Sequence, residues 1–278
     1  MRGESLAGFA DSIRYTDGIR RGLFAKESIV IVLITGASSG FGAAMARRFV
    51  QQGHRVIAAA RRSERLADLR DELGAALLPV TLDVTDKNSI SQALAWLSAD
   101  WQPIDVLINN AGLALGTEPA HLASLDEWET MIATNARGLV TMTRALLPEM
   151  VARGGGLVIN IGSIAGDTPY PGGNVYGATK AFVDQFTRNL RADLVGTGVR
   201  CTNLAPGLCG GTEFSNVRFR GNDEAAAKVY AGTVPLTAAD VAEAAYWVAT
   251  LPAHVNINMV EMMPTCQGYG PLNIKRTT

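Results

Sequence analysis

The sequence lacks an excess of charge of either sign and lacks any long hydrophobic run. Its 25 Lys and Arg residues nearly balance 26 Asp and Glu residues, so the formal net charge is −1. This balance gives no reason to expect nucleic acid or an anionic membrane surface as a partner. No apolar run reaches the roughly 18–20 residues that a membrane-spanning helix needs, so we expect no membrane partner either.

Cysteine and histidine are also scarce. The three cysteines, Cys201, Cys209 and Cys266, are an odd number in a chain of 278 residues. They predict free thiols in a reducing compartment, and hence a cytoplasmic protein, rather than a disulfide framework. The three histidines are scattered and form no ligand-spaced cluster, so we do not expect a zinc site.

The first 29 residues lack the pattern of the rest of the chain. They have no sustained period and no long apolar segment of a secretory signal, and their acidic residues argue against a transit peptide. We expect either a disordered extension or upstream sequence translated from a start codon assigned too early. Lys26 and Glu27 can be encoded by a purine-rich ribosome-binding string and Val30 by a GTG start, which favours the second interpretation.

From Ile31 onward, apolar strands alternate with helices. Strands are predicted at IVLIT, RVIAAA, LLPVTLD, DVLINNAG with its exit loop, GGLVINIGS, GVRCTNLAPG and residues 256–263. Helices are predicted over 40–53, from Ser63 as N-cap to Gly74, over 86–97 and 125–151, from Asn174 onward, and over 238–250. Near-continuous apolar strands joined by helices are typical of a parallel sheet covered on both faces. Without a break in composition, residues 30–278 are predicted to form one α/β domain, a Rossmann-type doubly wound sheet of about seven parallel strands.

A glycine-rich loop follows the first strand. Its residues are Gly36, Ala37, Ser38, Ser39, Gly40, Phe41 and Gly42. Glycines let the backbone approach a phosphate, and the following helix offers its N-terminal amides and the positive end of its dipole. Its spacing differs from the commoner G-x-G-x-x-G, and a tight turn that needs glycine is the alternative. Its position between a strand and a helix predicts a dinucleotide phosphate site, since ligands of such sheets bind beyond the carboxyl ends of the strands.

The end of the second strand lacks the acidic residue that usually binds the ribose hydroxyls of NAD. Arg61 and Arg62 stand there instead. Two guanidinium groups suit a 2′-phosphate, which they can bind bidentately. The pair therefore predicts NADP as the cofactor, with a solvated charge pair at a helix start as the alternative.

Further residues stand at the ends of later strands. Asp83 and Val84 follow the third strand, where the carboxylate is placed to accept from the adenine amino group or, alternatively, to cap the next helix. Asn110 follows the fourth strand in a segment predicted to flank the cofactor. Pro206 and Gly207 end the sixth strand in a turn predicted to close over the nicotinamide.

Four polar residues are candidates for catalysis. If the segment from Asn174 onward is helical, Tyr176 and Lys180 lie on one face, where the cation would lower the pKa of the phenol from about 10. Ser163 ends the fifth strand, where its hydroxyl would orient a substrate carbonyl or, alternatively, cap a turn. Asn135, a poor helix former inside a long predicted helix, is expected at a kink with its carbonyl turned to a water chain.

TGASSGFG, NNAG, Asn135, Ser163 and YGATK stand in the order and at the separations of the short-chain dehydrogenase/reductases. The chain resembles that family from about Val30 to its C-terminus. The resemblance implies that Tyr176 is the acid/base, and that Lys180 holds the nicotinamide ribose and lowers the tyrosine pKa. It also implies that Ser163 polarises the substrate carbonyl and that Asn135 supports a proton relay.

Four further stretches, INNAGLALGTEPAH, GGNVYGATKAFV, GGTEFSNVRFRG and LPAHVNIN, resemble the NADP-dependent 3-hydroxy acid dehydrogenases. This branch is also described as serine or allo-threonine 3-dehydrogenase and as malonic semialdehyde reductase. The resemblance implies a small 3-hydroxy acid substrate and a homotetramer whose interfaces use residues 126–150 and 174–195. The alternatives are a reductase for another ketone or aldehyde, or a cofactor-sensing regulator, although a sensor would be free to lose the catalytic residues and all four are present.

The segment after Gly207 is predicted to lie over the site as a lid. A small hydroxy acid has few apolar atoms, and burying its carboxylate without a partner is costly. The stretch CGGTEFSNVRFRGND offers Arg218 and Arg220 as cations, which share one side if the stretch is extended. We expect Arg218 to bind the substrate carboxylate, with solvated lid charges or subunit contacts as the alternative for both arginines.

Overall fold

The computed structural model describes residues 29–270, so the predicted N-terminal segment lies outside the described residues apart from Ile29. Seven parallel strands form one sheet in the order β3-β2-β1-β4-β5-β6-β7. The strands are β1 (Ile31–Thr35), β2 (Arg55–Ala60), β3 (Leu77–Thr81), β4 (Val106–Asn109), β5 (Gly156–Ile161), β6 (Val199–Pro206) and β7 (Met259–Met262). The predicted doubly wound α/β fold is confirmed.

Nine α-helices connect or follow these strands within the described part of the chain. They are α1 (Gly40–Gln51), α2 (Ser63–Leu73), α3 (Lys87–Trp96), α4 (Leu125–Ile132), α5 (Leu139–Ala152), α6 (Asn174–Asp193), α7 (Phe214–Arg218), α8 (Asp223–Lys228) and α9 (Ala238–Thr250).

The helices cover both faces of the sheet because successive side chains of a strand point to opposite sides. Val32 of β1 belongs to an apolar cluster with Phe49 of α1 and Val248 of α9. Its neighbour Leu33 belongs to a second cluster, with Met142 of α5, on the other face. All five side chains are at most 1% exposed. This two-sided burial explains why the strands are apolar almost without interruption.

The long helix predicted over 125–151 is interrupted. α4 ends at Ile132, a π-helical turn follows over Ala133–Gly138, and α5 begins at Leu139. Asn135 lies within the π-helical turn, which agrees with the predicted kink. Single π-turns inside α-helices are frequent at functional sites.

Two local predictions are wrong. Ser63 is the first residue of α2 and not its N-cap, because the backbone becomes helical one residue earlier than expected and Arg62 takes the cap position. The stretch VRFR is not extended, since α7 runs to Arg218 and Arg220 has a positive φ of 53°. Arg218 and Arg220 therefore do not share a side by strand alternation, although both guanidinium groups lie beside Gly116.

Candidate active site

A cavity of about 830 Å³ lies beyond the carboxyl ends of the central strands. It is lined by most of the residues that the sequence singles out, together with lid residues that the sequence leaves unassigned. The predicted residues among its lining are Gly36, Ser38, Ser39, Gly40, Phe41, Arg61, Arg62, Asp83, Val84, Asn110, Ser163, Tyr176, Lys180, Pro206, Gly207 and Arg218. Ala37, Gly42 and Asn135 lie behind this surface and shape it.

The glycine-rich loop is pressed against the segment that follows β4. A Cβ atom on Gly42 would lie 2.5 Å from the carbonyl oxygen of Gly36, and Gly36 itself has a φ of +66°. Ala37 is fully buried beneath the loop. Ser39 is the N-cap of α1 but makes no side-chain cap bond, which leaves the first amides of the helix to another acceptor. This arrangement fits a phosphate group.

Asn110 and Thr35 join the loop to the end of β4. The Asn110 amide nitrogen Nδ2 donates to the carbonyl oxygen of Thr35 at 2.8 Å. The Thr35 hydroxyl accepts from the backbone N–H groups of Asn110 and Ala111, each at 3.0 Å. The Asn110 side chain therefore holds the cavity wall in place. Thr35 belongs to the same hydrogen-bonded wall. Sequence reasoning gave it no role of its own, although its position directly before Gly36 could have indicated one.

Two arginines form a cationic corner at the end of β2. Arg61 is exposed and has no hydrogen-bond or ion-pair partner among residues 29–270. The Arg62 guanidinium donates to the Ser38 and Ser39 hydroxyls, the latter at 2.7 Å, and pairs with Glu213 at 2.9 Å. Glu213 comes from the lid, and sequence reasoning did not identify it as a site residue. Arg61 and Arg62 thus lie where a 2′-phosphate could be bound.

Asp83 shapes the turn after β3. Its Oδ1 accepts from the backbone N–H and the hydroxyl of Thr85, both at 2.8 Å. The cap of α3 is Asp86, whose side chain accepts from Asn88 at 2.9 Å. The alternative role for Asp83 as a helix cap is therefore wrong, and Asp83 and Val84 remain on the cavity wall.

Tyr176 and Lys180 are both 7% exposed on one face of α6, with the Lys180 Nζ atom 5.8 Å from the centre of the Tyr176 ring. The Nζ atom donates to the carbonyl oxygen of Ile161 at 2.7 Å. Burial lowers the pKa of Lys180 to about 8. Burial also raises the pKa of Tyr176, against the hydrogen bond with Ser163 and the charge of Arg218, which lower it. The sequence expectation of a lowered tyrosine pKa does not hold for the protein by itself, because desolvation outweighs the nearby cations.

Ser163 caps a turn, which was one of the two alternatives for it, and its role in orienting a substrate carbonyl stays a prediction. Its hydroxyl accepts from the backbone N–H of Ala165 at 3.1 Å and so caps the short turn Ile164–Gly166. The same hydroxyl donates to the carbonyl oxygen of Pro206 at 3.5 Å, and its proximity lowers the pKa of Tyr176 against the larger effect of burial. A second use of the hydroxyl does not conflict with the cap, since an O–H group both donates and accepts.

Asn135 is 2% exposed and holds three elements together. Its Oδ1 accepts from the backbone N–H of Leu113 at 2.9 Å, and its Nδ2 donates to the carbonyl oxygen of Leu113 and to the Thr179 hydroxyl. A Cβ atom on Gly112 would lie 3.3 Å from Asn135 Oδ1 and 3.6 Å from Lys180 Nζ. Asn135 and Lys180 therefore border the same glycine, at the floor of the cavity.

Arg218 differs from Arg220 in its partners. The Arg218 guanidinium carbon lies 5.2 Å from the centre of the Tyr170 ring and 5.9 Å from that of Tyr176. It makes only long hydrogen bonds, to the carbonyl oxygens of Gly116 at 3.3 Å and Gly172 at 3.4 Å. No carboxylate among residues 29–270 pairs with it. A half-buried, unpaired cation thus faces the phenol of the candidate acid/base.

Arg220 is held by two glutamates instead. It pairs with Glu118 at 2.7 Å and with Glu127 at 2.6 Å, and the contact with Arg220 lowers the pKa of Glu118 to about 2.

Two aromatic residues of the site, Tyr170 and Phe214, were missed by sequence reasoning. The Phe214 ring centre lies 5.7 Å from that of Tyr176. Tyr170 lies in a loop and Phe214 begins the short helix α7, and segments this short carry no periodic signal, which explains the omission.

The described residues also bear on two other features, a membrane-spanning helix and a metal site. Within residues 29–270, no helix is long and apolar enough to cross a membrane. In the same residues, no group of three or more His, Cys, Asp or Glu side chains could hold a metal ion.

Comparisons with known proteins agree with this geometry. The family model described as short chain dehydrogenase matches residues 30–223. The NADP-dependent 3-hydroxy acid dehydrogenase YdfG of Escherichia coli strain K12 is 63% identical over 247 residues, which are 89% of this chain and 100% of that protein. Serine 3-dehydrogenase of Agrobacterium fabrum strain C58 is 50% identical over 245 residues, 88% of this chain and 98% of that protein.

A solved structure gives the same result. The closed form of a serine dehydrogenase complexed with NADP+ matches with a TM-score of 0.88 and 62% identity, over 89% of this chain and 100% of that one. The family match, the two relatives and the residues of the cavity agree. The chain therefore belongs to the short-chain dehydrogenase family.

Proposed function

We propose that this protein is an NADP-dependent oxidoreductase acting on the 3-hydroxyl, or in reverse the 3-oxo group, of a small 3-hydroxy acid. Substrates of the serine, allo-threonine and 3-hydroxypropionate or malonic semialdehyde type fit this description. The observation that carries the proposal is the unpaired Arg218 guanidinium beside the ring of buried Tyr176. Relatives named as 3-hydroxy acid and serine dehydrogenases support it.

The cofactor assignment rests on the phosphate-binding groups of the chain. The amides at the start of α1 would hold the pyrophosphate, and Arg61 and Arg62 would hold the 2′-phosphate. Asp83 and Val84 would border the adenine, while Asn110, Pro206 and Gly207 would flank the nicotinamide end. When bound, NADP accepts or supplies the hydride.

The proton is assigned to the Tyr176 hydroxyl. Because burial raises its pKa, Tyr176 is protonated at neutral pH in the protein by itself, which suits it to donate a proton to a carbonyl oxygen during reduction. Ser163 would orient that oxygen through its own hydroxyl. Lys180 would hold the nicotinamide ribose, and Asn135 would support the relay that returns the proton.

Arg218 is assigned to the substrate carboxylate. Its partners Gly116 and Gly172 are carbonyl oxygens at long distances, so the guanidinium retains the capacity for a charge-assisted pair. Arg220 is excluded from this role because Glu118 and Glu127 already neutralise it. Arg218 lies a few ångströms from the phenol. A 3-hydroxy acid whose carboxylate is bound by Arg218 would therefore have its hydroxyl carbon next to Tyr176.

A spectrophotometric screen tests the proposal. NADP+ reduction is followed with serine, allo-threonine and 3-hydroxypropionate, each beside a neutral alcohol of the same length. We expect the acids to have the higher kcat/KM, and NADP+ to be preferred over NAD+. Turnover of neutral alcohols alone would favour a reductase for another ketone or aldehyde, and binding of NADP without any turnover would favour a sensor.

We further propose that the protein is a homotetramer. Ile132 at the end of α4 and Phe182 on α6 are 48% and 43% exposed, on the two helices that the family resemblance assigns to subunit contacts. Light scattering on a sizing column should give four times the 29.4 kDa of one chain. Phe182→Asp should lower that mass, whereas Trp96→Asp on α3, which is also exposed, should not; an unchanged mass for Phe182→Asp would contradict this assembly.

A cytoplasmic location is proposed on the state of the cysteines. Cys201, Cys209 and Cys266 are all free thiols. Free thiols are typical of reducing compartments. Recovery of activity in the soluble cytoplasmic fraction of the native cell, and not in membrane or periplasmic fractions, would support this location.

A further inference from the structure

We propose that Glu213 of the lid competes with the 2′-phosphate of NADP for Arg62, and thereby limits the preference for NADP over NAD. This inference rests on the proposed function, since it concerns the same cofactor site. It adds a residue that determines cofactor specificity and that comes from the lid, not from the strand ends where such residues are usually sought.

The Glu213 carboxylate is bound as an anionic ligand would be. Its Oε2 lies 2.9 Å from Arg62, and its Oε1 lies 2.7 Å from Arg65. Hydrogen bonding by Arg62 is the largest of the effects that lower the pKa of Glu213, and Arg65 and Ser39 add smaller effects in the same direction. The carboxylate is therefore ionised near neutral pH, and two cations share it.

Capping of the lid helix does not explain this arrangement. Glu213 is the residue before α7, yet its side chain makes no cap bond to that helix. Instead, the carboxylate contacts Arg62, which precedes Glu213 by 151 residues. Thr212 beside it lies 3.6 Å from where a Cβ atom on Gly40 would stand, so the lid meets the phosphate loop at this point.

A carboxylate and a phosphate compete for the same guanidinium because both are anionic acceptors. The Arg62 and Glu213 side chains are each 40% exposed, so the pair can separate without a rearrangement of the core. Displaced from Arg62, Glu213 still has Arg65 as a partner. The 2′-phosphate meets Arg61, which has no partner among residues 29–270, and must displace Glu213 to gain Arg62 as well.

Glu213 should have the opposite effect on the binding of NAD. The ribose of NAD carries a 2′-hydroxyl, which can donate to a carboxylate, as it does to acidic residues in NAD sites. The end of the second strand lacks the acidic residue that usually binds the ribose of NAD. Glu213 supplies an acidic side chain near that position from a different part of the chain. Removing its charge should favour NADP and should not favour NAD.

The test uses ligands that isolate the 2′-phosphate. Dissociation constants of 2′,5′-ADP and 5′-AMP are measured by calorimetry for the parent protein, Glu213→Gln and Glu213→Ala. We expect both variants to bind 2′,5′-ADP about fivefold more tightly, the change typical of a partly exposed ion pair. Binding of 5′-AMP should be unchanged or weaker. Glu224→Gln on α8, which removes a lid carboxylate paired only with Lys228, should change neither constant.

A double-mutant cycle tests whether the effect acts through Arg62. In an Arg62→Ala background, Glu213→Gln should no longer tighten 2′,5′-ADP. No tightening in the single variants, equal tightening of both ligands, or tightening that persists without Arg62 would overturn the inference. A parent protein that binds 2′,5′-ADP no better than 5′-AMP would instead overturn the NADP assignment and this inference with it, so the two failures are distinguishable.

Discussion

Tyr176 and Lys180 are buried ionisable side chains, and burial acts against the charged form of each. It lowers the pKa of Lys180 to about 8 and raises that of Tyr176. The phenol is then a proton donor at rest, and Ser163 and Arg218 are the groups of the chain that favour its deprotonation. At the scale of single residues, Tyr176 is therefore protonated until further positive charge lowers its pKa.

Tyr176→Phe keeps the ring against Phe214 and removes the proton. We expect kcat to fall roughly 10²–10⁴-fold, the usual contribution of a general acid/base, while the dissociation constant of NADP changes little. Steady-state kinetics and a separate binding titration measure the two quantities. Near-normal turnover would mean that another group transfers the proton.

Lys180→Met should stabilise the fold while it removes activity. A lysine with a pKa of about 8 when folded and its ordinary 10.5 when unfolded binds fewer protons in the folded state between these values. Stability of the parent should therefore rise with pH through this window, and the full cost of burying the charge should be present below pH 8. We expect the variant to be roughly 1–3 kcal/mol more stable at pH 7, after the lost bond to Ile161 is counted.

Urea unfolding at pH 7 and at pH 9.5 checks this expectation. The parent should gain stability between the two conditions from this residue, and the Met variant should not show that gain. A variant that is less stable than the parent at pH 7 would mean that the bond from Lys180 to Ile161 outweighs the cost of burial.

Arg218→Ala should weaken hydroxy-acid substrates selectively. A charge-assisted hydrogen bond contributes roughly 1.5–3 kcal/mol, so kcat/KM for the acid should fall about tenfold to hundredfold, mainly through KM. A neutral alcohol of the same length should be little affected. Arg220→Ala is the matched control, because the Arg220 guanidinium is already paired with Glu118 and Glu127. Equal losses for acid and alcohol in Arg218→Ala would mean that Arg218 shapes the lid and does not bind the carboxylate.

At the scale of elements, a row of buried asparagines aligns the strands with the helices below the cavity. Asn109 of β4, Asn160 of β5 and Asn203 of β6 are in register, and each is at most 3% exposed. Asn109 donates to Asn160 and to Thr143 of α5, and Asn160 donates to Thr187 of α6, all at 2.9 Å. A one-residue slip of β4 or β5 would separate these partners.

Asn160→Leu should destabilise the protein by roughly 2–4 kcal/mol. The change leaves the Asn109 amide with one acceptor fewer and the Thr187 hydroxyl without its donor, in an interior where unmatched polar groups cost about 1–3 kcal/mol each. The urea midpoint measures the loss. Ile159→Val on the same strand, expected to cost about 0.5–1.5 kcal/mol, is the control; an equal loss in both variants would show that the row adds no specific stability.

The lid is the second element with a distinct role. α7 carries Arg218 toward Tyr176, and Glu213 just before it reaches Arg62 at the other end of the cavity. Arg220 just after α7 attaches the lid to Glu118 and Glu127. A short helix thus connects the proposed carboxylate site to the proposed 2′-phosphate site.

At the scale of the whole molecule, we predict that the domain begins at Val30, directly before its first strand. Val30 is 2% exposed, and its carbonyl oxygen accepts from the Arg55 N–H at 3.0 Å. A chain that begins with Met in place of Val30 should therefore keep its urea midpoint and its kcat/KM, since methionine fills apolar space readily. Loss of soluble protein or of activity would show that residues 1–29 contribute to the domain.

The order of strands and helices, and the residues at the strand ends, could be predicted from the sequence. Buried parallel strands have continuous apolar runs, and a glycine-rich turn before a helix is a local pattern. Tyr176 and Lys180 are one helical turn apart, so their proximity also needs only local structure. The π-turn at Asn135 was predictable as a kink because asparagine disfavours a helix interior, but its type was not.

Short-range periodicity and motifs in order were enough to predict the family, the doubly wound sheet and most of the residues around the cavity. The pairing of side chains is known only from the three-dimensional fold: among the described residues Arg218 is unpaired while Arg220 is neutralised, and Glu213 meets Arg62 across 151 residues. The fold also decided that desolvation outweighs the cations near Tyr176. Pairing and desolvation depend on which distant groups fold together and how much water they exclude, and neither quantity is encoded in local spacing.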